Sequence, residues 1–438
     1  MTPPHNIAIV GGGIAGLATA YQLLQKNPTL TIDLFEKGSA DSYEAGKDNS
    51  HRASLGASTA RTMRLMGAAK GVGQWNVRET LAMLERLQAD SGNTLFKPQA
   101  SAFLGKPLGD PAYDKSKQSL IDAEVEFQEW IGKDAKIRWP GFYNTLPDEA
   151  RLLVEDPYHP DHNPNGAALV INQEKLMQTL KTYLQDHGVT FHFSSTIKKV
   201  EQRDDKSVLT LADGSEHTAD QSIIAPGQWI GELVDTKKHG IETRLTRVVY
   251  AQIDMQALGY QPNGFPFSKG FVPSGGEGSA YGFNADPKSP ILKFLPAATS
   301  RTADSVDALH APITDEEKDA ALTAASIRFG IDKDRLREHT SFGTCAYTNP
   351  KIGEKALVAR LDDTTTLIGL DSSGTARTIG GMAAIAAHLA LGLPEPEKGS
   401  YDAFSLEAHH RQNNPREISI GPATATEIPL ERQAGAAR

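Results

Sequence analysis

The most constraining feature of this chain lies at its start. Gly11-x-Gly13-x-x-Gly16 directly follows the apolar run Asn6-Ile7-Ala8-Ile9-Val10 and opens a stretch in which Leu17, Tyr21 and Leu24 recur at helical spacing. Asn27-Pro28 stops that helix, and Leu30, Ile32 and Leu34 then alternate as a second strand running to Glu36, twenty residues after Gly16. This is a βαβ opening. Glycines at these positions permit a tight turn and close approach of a pyrophosphate to the helix N-terminus, where the N–H groups of residues such as Ile14 and Ala15 and the helix dipole favour negative charge. Glu36 is placed to accept hydrogen bonds from ribose hydroxyls. An ordinary Gly-rich turn is the alternative, but strand, helix and acid are all in register. The pattern predicts dinucleotide binding without itself choosing between FAD and NAD.

At 438 residues the chain has room for two or three domains of about 150 residues each. Its net charge of −9 repels nucleic acid and anionic membrane surfaces, so neither is an expected partner. A hydrophobic content of 39% is that of a globular protein with a sizeable core. No run of 18 apolar residues occurs, and the first apolar segment passes straight into glycines. These features read as a soluble, unexported, cytoplasmic protein, expected to be a monomer. The single cysteine, Cys345, excludes an intrachain disulfide and a cysteine cluster for zinc or iron–sulfur. Its thiol is inert, reactive or covalently used. The thirteen histidines show no metal-ligand spacing, and His409-His410 reads as an exposed pair in a polar tail.

Residues about 38 to 55 read as a loop returning to Gly56-Ala57-Ser58-Thr59-Ala60-Arg61-Thr62-Met63-Arg64. The stretches from Val72 to Gly132 and from Pro140 to Pro164 read as excursions from the sheet. Regular α/β patterning resumes near Gly166, with a helix from Glu174 to His187 closing on Gly188. Strand Val189-Phe191-Phe193, the Asp213-Gly214 hairpin signal and Ile223-Ile224-Ala225-Pro226-Gly227 follow. From Ile241 to Asp304, alternating segments with Gly- and Pro-rich turns predict an antiparallel sheet. The pattern then closes with Leu367-Ile368-Gly369, a Gly/Ser-rich loop and a helix from Gly381 to Leu391.

The N-terminal position of the glycine motif, Lys37 after Glu36, and Ala225-Pro226-Gly227-Gln228-Trp229 favour FAD. The last segment fits the Ala-x-Gly-x-Trp turn of the D-amino-acid-oxidase-like flavoprotein superfamily, which the chain resembles over nearly its whole length. Within it, the sequence is most similar to the monomeric sarcosine oxidase group and its N-methyltryptophan, pipecolate and fructosyl-amino-acid oxidase relatives. The resemblance implies an α/β (α+β overall) architecture. A Rossmann-like FAD-binding domain would be assembled from residues 1–70, 165–235 and 330–400, and a mainly antiparallel β-sheet substrate domain from 71–164 and 236–329. Residues 401–438 would form a C-terminal tail.

Cys345-Ala346-Tyr347-Thr348 resembles the Cys-x-Tyr-Thr segment whose cysteine carries the flavin through an 8α thioether. A buried structural cysteine is the alternative. Arg61-x-x-Arg64 resembles the group's Arg-x-x-Arg, in which the first arginine lies by the flavin and the second grips a substrate carboxylate with its planar fork. A helix start with two solvated arginines is the alternative. Tyr281-Gly282-Phe283 and Lys293 resemble the group's Tyr-Gly-Phe and its oxygen-activating lysine, one residue further apart here; a surface strand lysine is the alternative. The histidine four residues beyond that lysine is replaced by Ala297, which sets the pocket apart from that for sarcosine itself. Arg377 stands one place from a lysine position in the group's Gly-rich loop; it serves flavin or carboxylate, or points to solvent. Cofactor contacts are implied for Gly11, Gly13, Ile14, Ala15, Gly16, Glu36, Lys37, Thr59, Arg61, Ile197, Cys345, Gly374 and Thr375.

The implied activity is FAD-dependent oxidation of the C–N bond of a secondary amine, an N-alkyl or cyclic amino acid, to an imine, with oxygen reduced to hydrogen peroxide. A flavin dehydrogenase using another acceptor, or a tailoring oxidase of secondary metabolism, is the alternative. A flavin-binding scaffold without activity is disfavoured by the cations around the expected ring.

Overall fold

Strand Asn6–Val10 buries Ile7, Ala8 and Ile9 completely. Both of its edges are occupied in parallel, by Gln221–Ile224 on one side and Thr31–Phe35 on the other. The computed structural model describes residues 4–43, 60–105, 109–139, 145–260, 267–270, 280–284, 289–350, 356–369 and 375–413. Among them these strands form the middle of a six-stranded sheet, in the order Leu357–Arg360, Thr365–Gly369, Gln221–Ile224, Asn6–Val10, Thr31–Phe35, Thr190–His192. Only the Leu357–Arg360 edge strand is antiparallel to its neighbour.

A parallel sheet needs both faces covered. On one face Ile7, Ile9, Ile32 and Leu34 pack with helices Ile14–Lys26, Gln173–Asp186 and Thr375–Leu391. On the other, Ala8, Val10 and Phe35 meet Ile197, Leu209 and Ala219 of a small antiparallel sheet built from Ile197–Arg203, Lys206–Leu211 and Glu216–Ala219.

Helix Thr375–Leu391 begins six residues before Gly381, where the sequence pattern places its start. Gly380 and Gly381 are not a boundary. They are the surface on which helix Val72–Ser91 rests: a Cβ at Gly381 would lie 2.1 Å from Asn76 Oδ1, and one at Gly380 2.5 Å from Thr80 Cα. The helical cost of glycine, about 1 kcal/mol each, is accepted for close helix–helix contact.

The second large sheet has nine strands and is mainly antiparallel. Its organiser is the long strand Thr243–Asp254. Thr340–Pro350 pairs along one edge through eleven registered positions, and Ser300–Ala303 and Ile291–Pro296 share the other edge. The sheet continues through Ala280–Asn284 and Phe267–Gly270 into Ser101–Gly105, Arg151–Glu155 and Phe127–Ile131. Segments read as excursions thus complete this sheet; Phe267–Gly270 and Ser101–Gly105 form its parallel pair. A three-stranded sheet of Ala60–Met63, Leu169–Asn172 and Phe96–Pro98 carries Arg61.

Of the histidine pair, His409 is buried and only His410 is exposed, and both lie on a helix. Residues Ser400–Phe404 and Leu406–Asn413 are helical. His409 is buried, its Nε2 accepting the Glu242 N–H at 3.1 Å, while His410 Nε2 lies 2.9 Å from the His239 carbonyl oxygen. Polarity misleads for His409 because an imidazole can be buried when a backbone group meets its ring nitrogen. No helix among the described residues is long and apolar enough to cross a membrane.

Candidate active site

The three motif glycines have different reasons to be glycine. Gly11 has φ +108°, and a Cβ there would meet the Ala225 carbonyl oxygen at 2.3 Å. A Cβ at Gly16 would meet the Gly11 carbonyl oxygen at 1.9 Å, so the strand–helix junction excludes a side chain. Gly13 has no such neighbour: its Cβ position is open, and it caps helix Ile14–Lys26 without a side-chain hydrogen bond. The helix N-terminus therefore faces open space with its first N–H groups forward.

That space is a cavity of about 310 Å³ between Gly11–Gly13, Glu36, Ile197 and Trp229. Glu36 is held at its rim: Oε2 accepts the Gly12 N–H and Oε1 the Gly38 N–H, both at 2.7 Å. Each oxygen keeps a further lone pair for an incoming hydroxyl. The Lys37 ammonium sits 3.2 Å from the centre of the Trp229 ring, and burial pushes the Lys37 pKa down. The turn bearing Trp229 is fixed by the Ala225 N–H, which donates to the Val10 carbonyl oxygen at 2.8 Å.

A second cluster lies on the large sheet. Val248 pairs with Cys345, Tyr250 with Gly343 and Gln252 with Lys293, so alternation brings Cys345, Tyr250 and Lys293 to one face. All three are buried. Lys293 Nζ is 3.5 Å from Cys345 Sγ and 4.0 Å from the centre of the Tyr250 ring. Burial pulls the Lys293 pKa down to about 7, against the opposing effect of Cys345. For Cys345, burial pushes the thiol up, but the adjacent Lys293 and Arg61 charges and a hydrogen bond to Tyr347 hold it below its usual value. The surface-lysine alternative for Lys293 is thus excluded.

Arg64 is also buried, following strand Ala60–Met63 rather than starting a helix. Glu155, fully buried at the end of strand Arg151–Glu155, accepts the Leu65 N–H at 3.0 Å and the Met66 N–H at 2.9 Å. Burial raises the Glu155 pKa, and those N–H groups with the Arg64 charge counter it. Glu155 therefore fixes the backbone that carries Arg64.

A family model described as DAO, FAD dependent oxidoreductase, matches residues 6–389. The chain belongs to the DAO family. The cavity, the open helix N-terminus and the pinned Glu36 fit the adenosine diphosphate half of an FAD. The structure is similar in fold to NikD, an unusual amino acid oxidase essential for nikkomycin biosynthesis, in its open form (17% identity, 88% of this chain and 93% of that one, TM-score 0.67). It is similarly related to a thermally stable mutant of fructosyl peptide oxidase (17% identity, 92% and 93%, TM-score 0.68). The bifunctional protein ThiO/ThiG of Synechocystis sp. is 23% identical over 240 residues, and the match spans 53% of this chain and 31% of that protein.

The remaining site residues of this DAO-family chain are distributed as follows. Ile14 and Ala15 open the first helix, and Ile197 lines the cavity at the start of its strand. Arg61 is half-buried beside Lys293 and Cys345. Tyr281 lies on strand Ala280–Asn284, its backbone paired with Leu295; Asn284 pairs with Leu292, so the extra residue before Lys293 falls outside the ladder. Thr375 and Arg377 are in the first turn of helix Thr375–Leu391, with Arg377 half-buried. Thr59 and Gly374 lie outside the described residues. Sequence reasoning missed Tyr250 and Glu155. A lone acid ending the apolar run Leu152-Leu153-Val154 is a signal for Glu155; nothing in the alternating text around Tyr250 distinguishes it from a core residue.

Proposed function

We propose that this protein is an amine oxidase of the DAO family whose substrate is a secondary amino acid, N-alkyl or cyclic, converted to an imine with production of hydrogen peroxide. The observation that carries this reading is the buried Lys293 beside Cys345, Tyr250 and Arg61, a fixed cation in a place costly to hold one without use. FAD, when bound, takes a hydride equivalent from the carbon next to nitrogen and delivers two electrons to oxygen. The chain supplies binding, orientation and charge.

In this reading Glu36 accepts ribose hydroxyls and the N-terminus of helix Ile14–Lys26 meets the pyrophosphate. Arg64 grips the substrate carboxylate and so orients the amine, with Arg377 as a second cation. Tyr281 is assigned to the substrate side by its Tyr-Gly-Phe motif alone. Lys293 stabilises negative charge as it develops on oxygen. Cys345 would hold the flavin through a thioether to its 8-methyl carbon, a link whose formation would release the thiol proton and one methyl proton and pass two electrons to oxygen. Residues 1–70, 165–235 and 330–400 serve the cofactor and 71–164 and 236–329 the substrate.

Anaerobic mixing with a panel of N-alkyl and cyclic amino acids tests this. An acid from the panel should bleach the flavin, and admitted air should restore the colour with peroxide formed. Bleaching only by carboxylate-free amines would refute the amino-acid substrate. Turnover with an artificial dye but not with oxygen would make the protein a dehydrogenase.

A further inference from the structure

Tyr250 is fully buried in the middle of strand Thr243–Asp254, and its hydroxyl is a buried polar atom with no hydrogen-bond partner among the described residues. An aliphatic side chain such as leucine would meet the needs of packing alone, so what distinguishes this position is the aromatic ring rather than its hydroxyl. The ring is closely fitted. It lies over Gly343 of the paired strand, where a Cβ would come within 2.4 Å of its Cζ and Oη. Its face receives the Lys293 ammonium at 4.0 Å from the ring centre. Glycine at 343 thus makes room for the ring, and the ring supports the cation.

We propose that Tyr250 is the positioning residue of Lys293: its π face holds the ammonium in its charged form on the sheet face that meets the flavin. This rests on the reading of Lys293 as the cation of the oxygen half-reaction. Burial works against the charge on Lys293, and so does the neighbouring Arg61. Cys345 of strand Thr340–Pro350, to which Tyr347 hydrogen-bonds, works for it. The Tyr250 ring, from the strand between, adds a quadrupole whose negative face meets the cation and which brings no titrating carboxylate. The charge–quadrupole attraction is worth about one pH unit on the lysine.

A size-neutral series tests it. Tyr250→Phe and phenylalanines with increasing ring fluorination at position 250 keep the shape over Gly343 and progressively weaken the negative face. The readout is an NMR titration of the full-length protein labelled at lysine Cε, with the Lys293 signal identified by its loss in Lys293→Met. Tyr250→Phe should keep the midpoint within a few tenths of a unit, and fluorination should lower it stepwise by about one pH unit in total. A flat series overturns the proposal. In the holoenzyme, the pH midpoint of reoxidation by oxygen should follow the same order. If Lys293→Met leaves reoxidation unchanged, the oxygen role of Lys293 fails, while the NMR series still decides whether the ring holds the charge.

Discussion

The Lys293 ammonium nitrogen and the Cys345 sulfur lie 3.5 Å apart in a buried site, although 52 residues separate them in the chain. Each stabilises the charged form of the other. The proposed oxygen-side cation and the proposed flavin-linking thiol are consequently two ends of one electrostatic unit, with Arg61 beside both.

Acid precipitation should leave the flavin colour in the wild-type pellet and in the supernatant for Cys345→Ser. Absorbance spectra of the two fractions check this. Colour in the wild-type supernatant would remove the covalent link and leave the oxidase reading standing.

Because burial brings the Lys293 pKa to about 7, its ammonium is lost as pH rises through neutrality. Stopped-flow reoxidation should therefore slow in the wild type as pH rises toward and through neutrality, from a lower pH where a thioether at Cys345 no longer favours the ammonium. In Lys293→Met it should be about 10²- to 10³-fold slower and independent of pH over the same range. Linkage gives a second readout. Between about 7 and the ordinary lysine value near 10.4, the unfolded chain holds the extra proton, so this residue makes stability rise with pH. Denaturation midpoints at pH 7 and 9 should differ less in Lys293→Met.

Arg64→Ala should lower kcat/KM for an amino acid by about 10- to 100-fold while barely changing that for its ester. Equal losses on both would give Arg64 a structural role. Glu155→Gln should cost about 1–3 kcal/mol in chemical denaturation, since one amide N–H would face a backbone N–H of Leu65 or Met66.

Gly13→Ala should leave the thermal stability of the flavin-free protein unchanged and weaken FAD retention, because its Cβ position is open to the cavity. Gly16→Ala should instead destabilise the protein itself, its Cβ falling 1.9 Å from a carbonyl oxygen. Loss of stability in both variants would mean that Gly13 serves the fold rather than the ligand.

The βαβ opening was legible because its signals are local: apolar alternation, helical spacing and four glycines within six residues. Lys293, Cys345 and Arg61 were legible as separate motifs, while their meeting depends on the register of strand Thr243–Asp254, which no local pattern encodes. Gly380 and Gly381 read as a helix start because their actual reason, the backbone of Thr80 and the side chain of Asn76, lies 300 residues away. Glu155 and Tyr250 escaped for the same reason. Burial of a polar group becomes intelligible only when its partners, or an orphaned hydroxyl, come into view.

Strand Thr243–Asp254 is bonded along both edges, to Thr340–Pro350 and to Ile291–Pro296 and Ser300–Ala303. Tyr250, Cys345 and Lys293 accordingly ride on a single hydrogen-bonded plate, and their mutual spacing cannot change without breaking cross-strand ladders. Arg377 belongs to a helix and Arg61 to a different sheet. A shift of either arginine against the plate would therefore leave the ladders that carry Lys293, Cys345 and Tyr250 intact, and a shift of Arg61 would at the same time change the charge felt by Lys293 and Cys345.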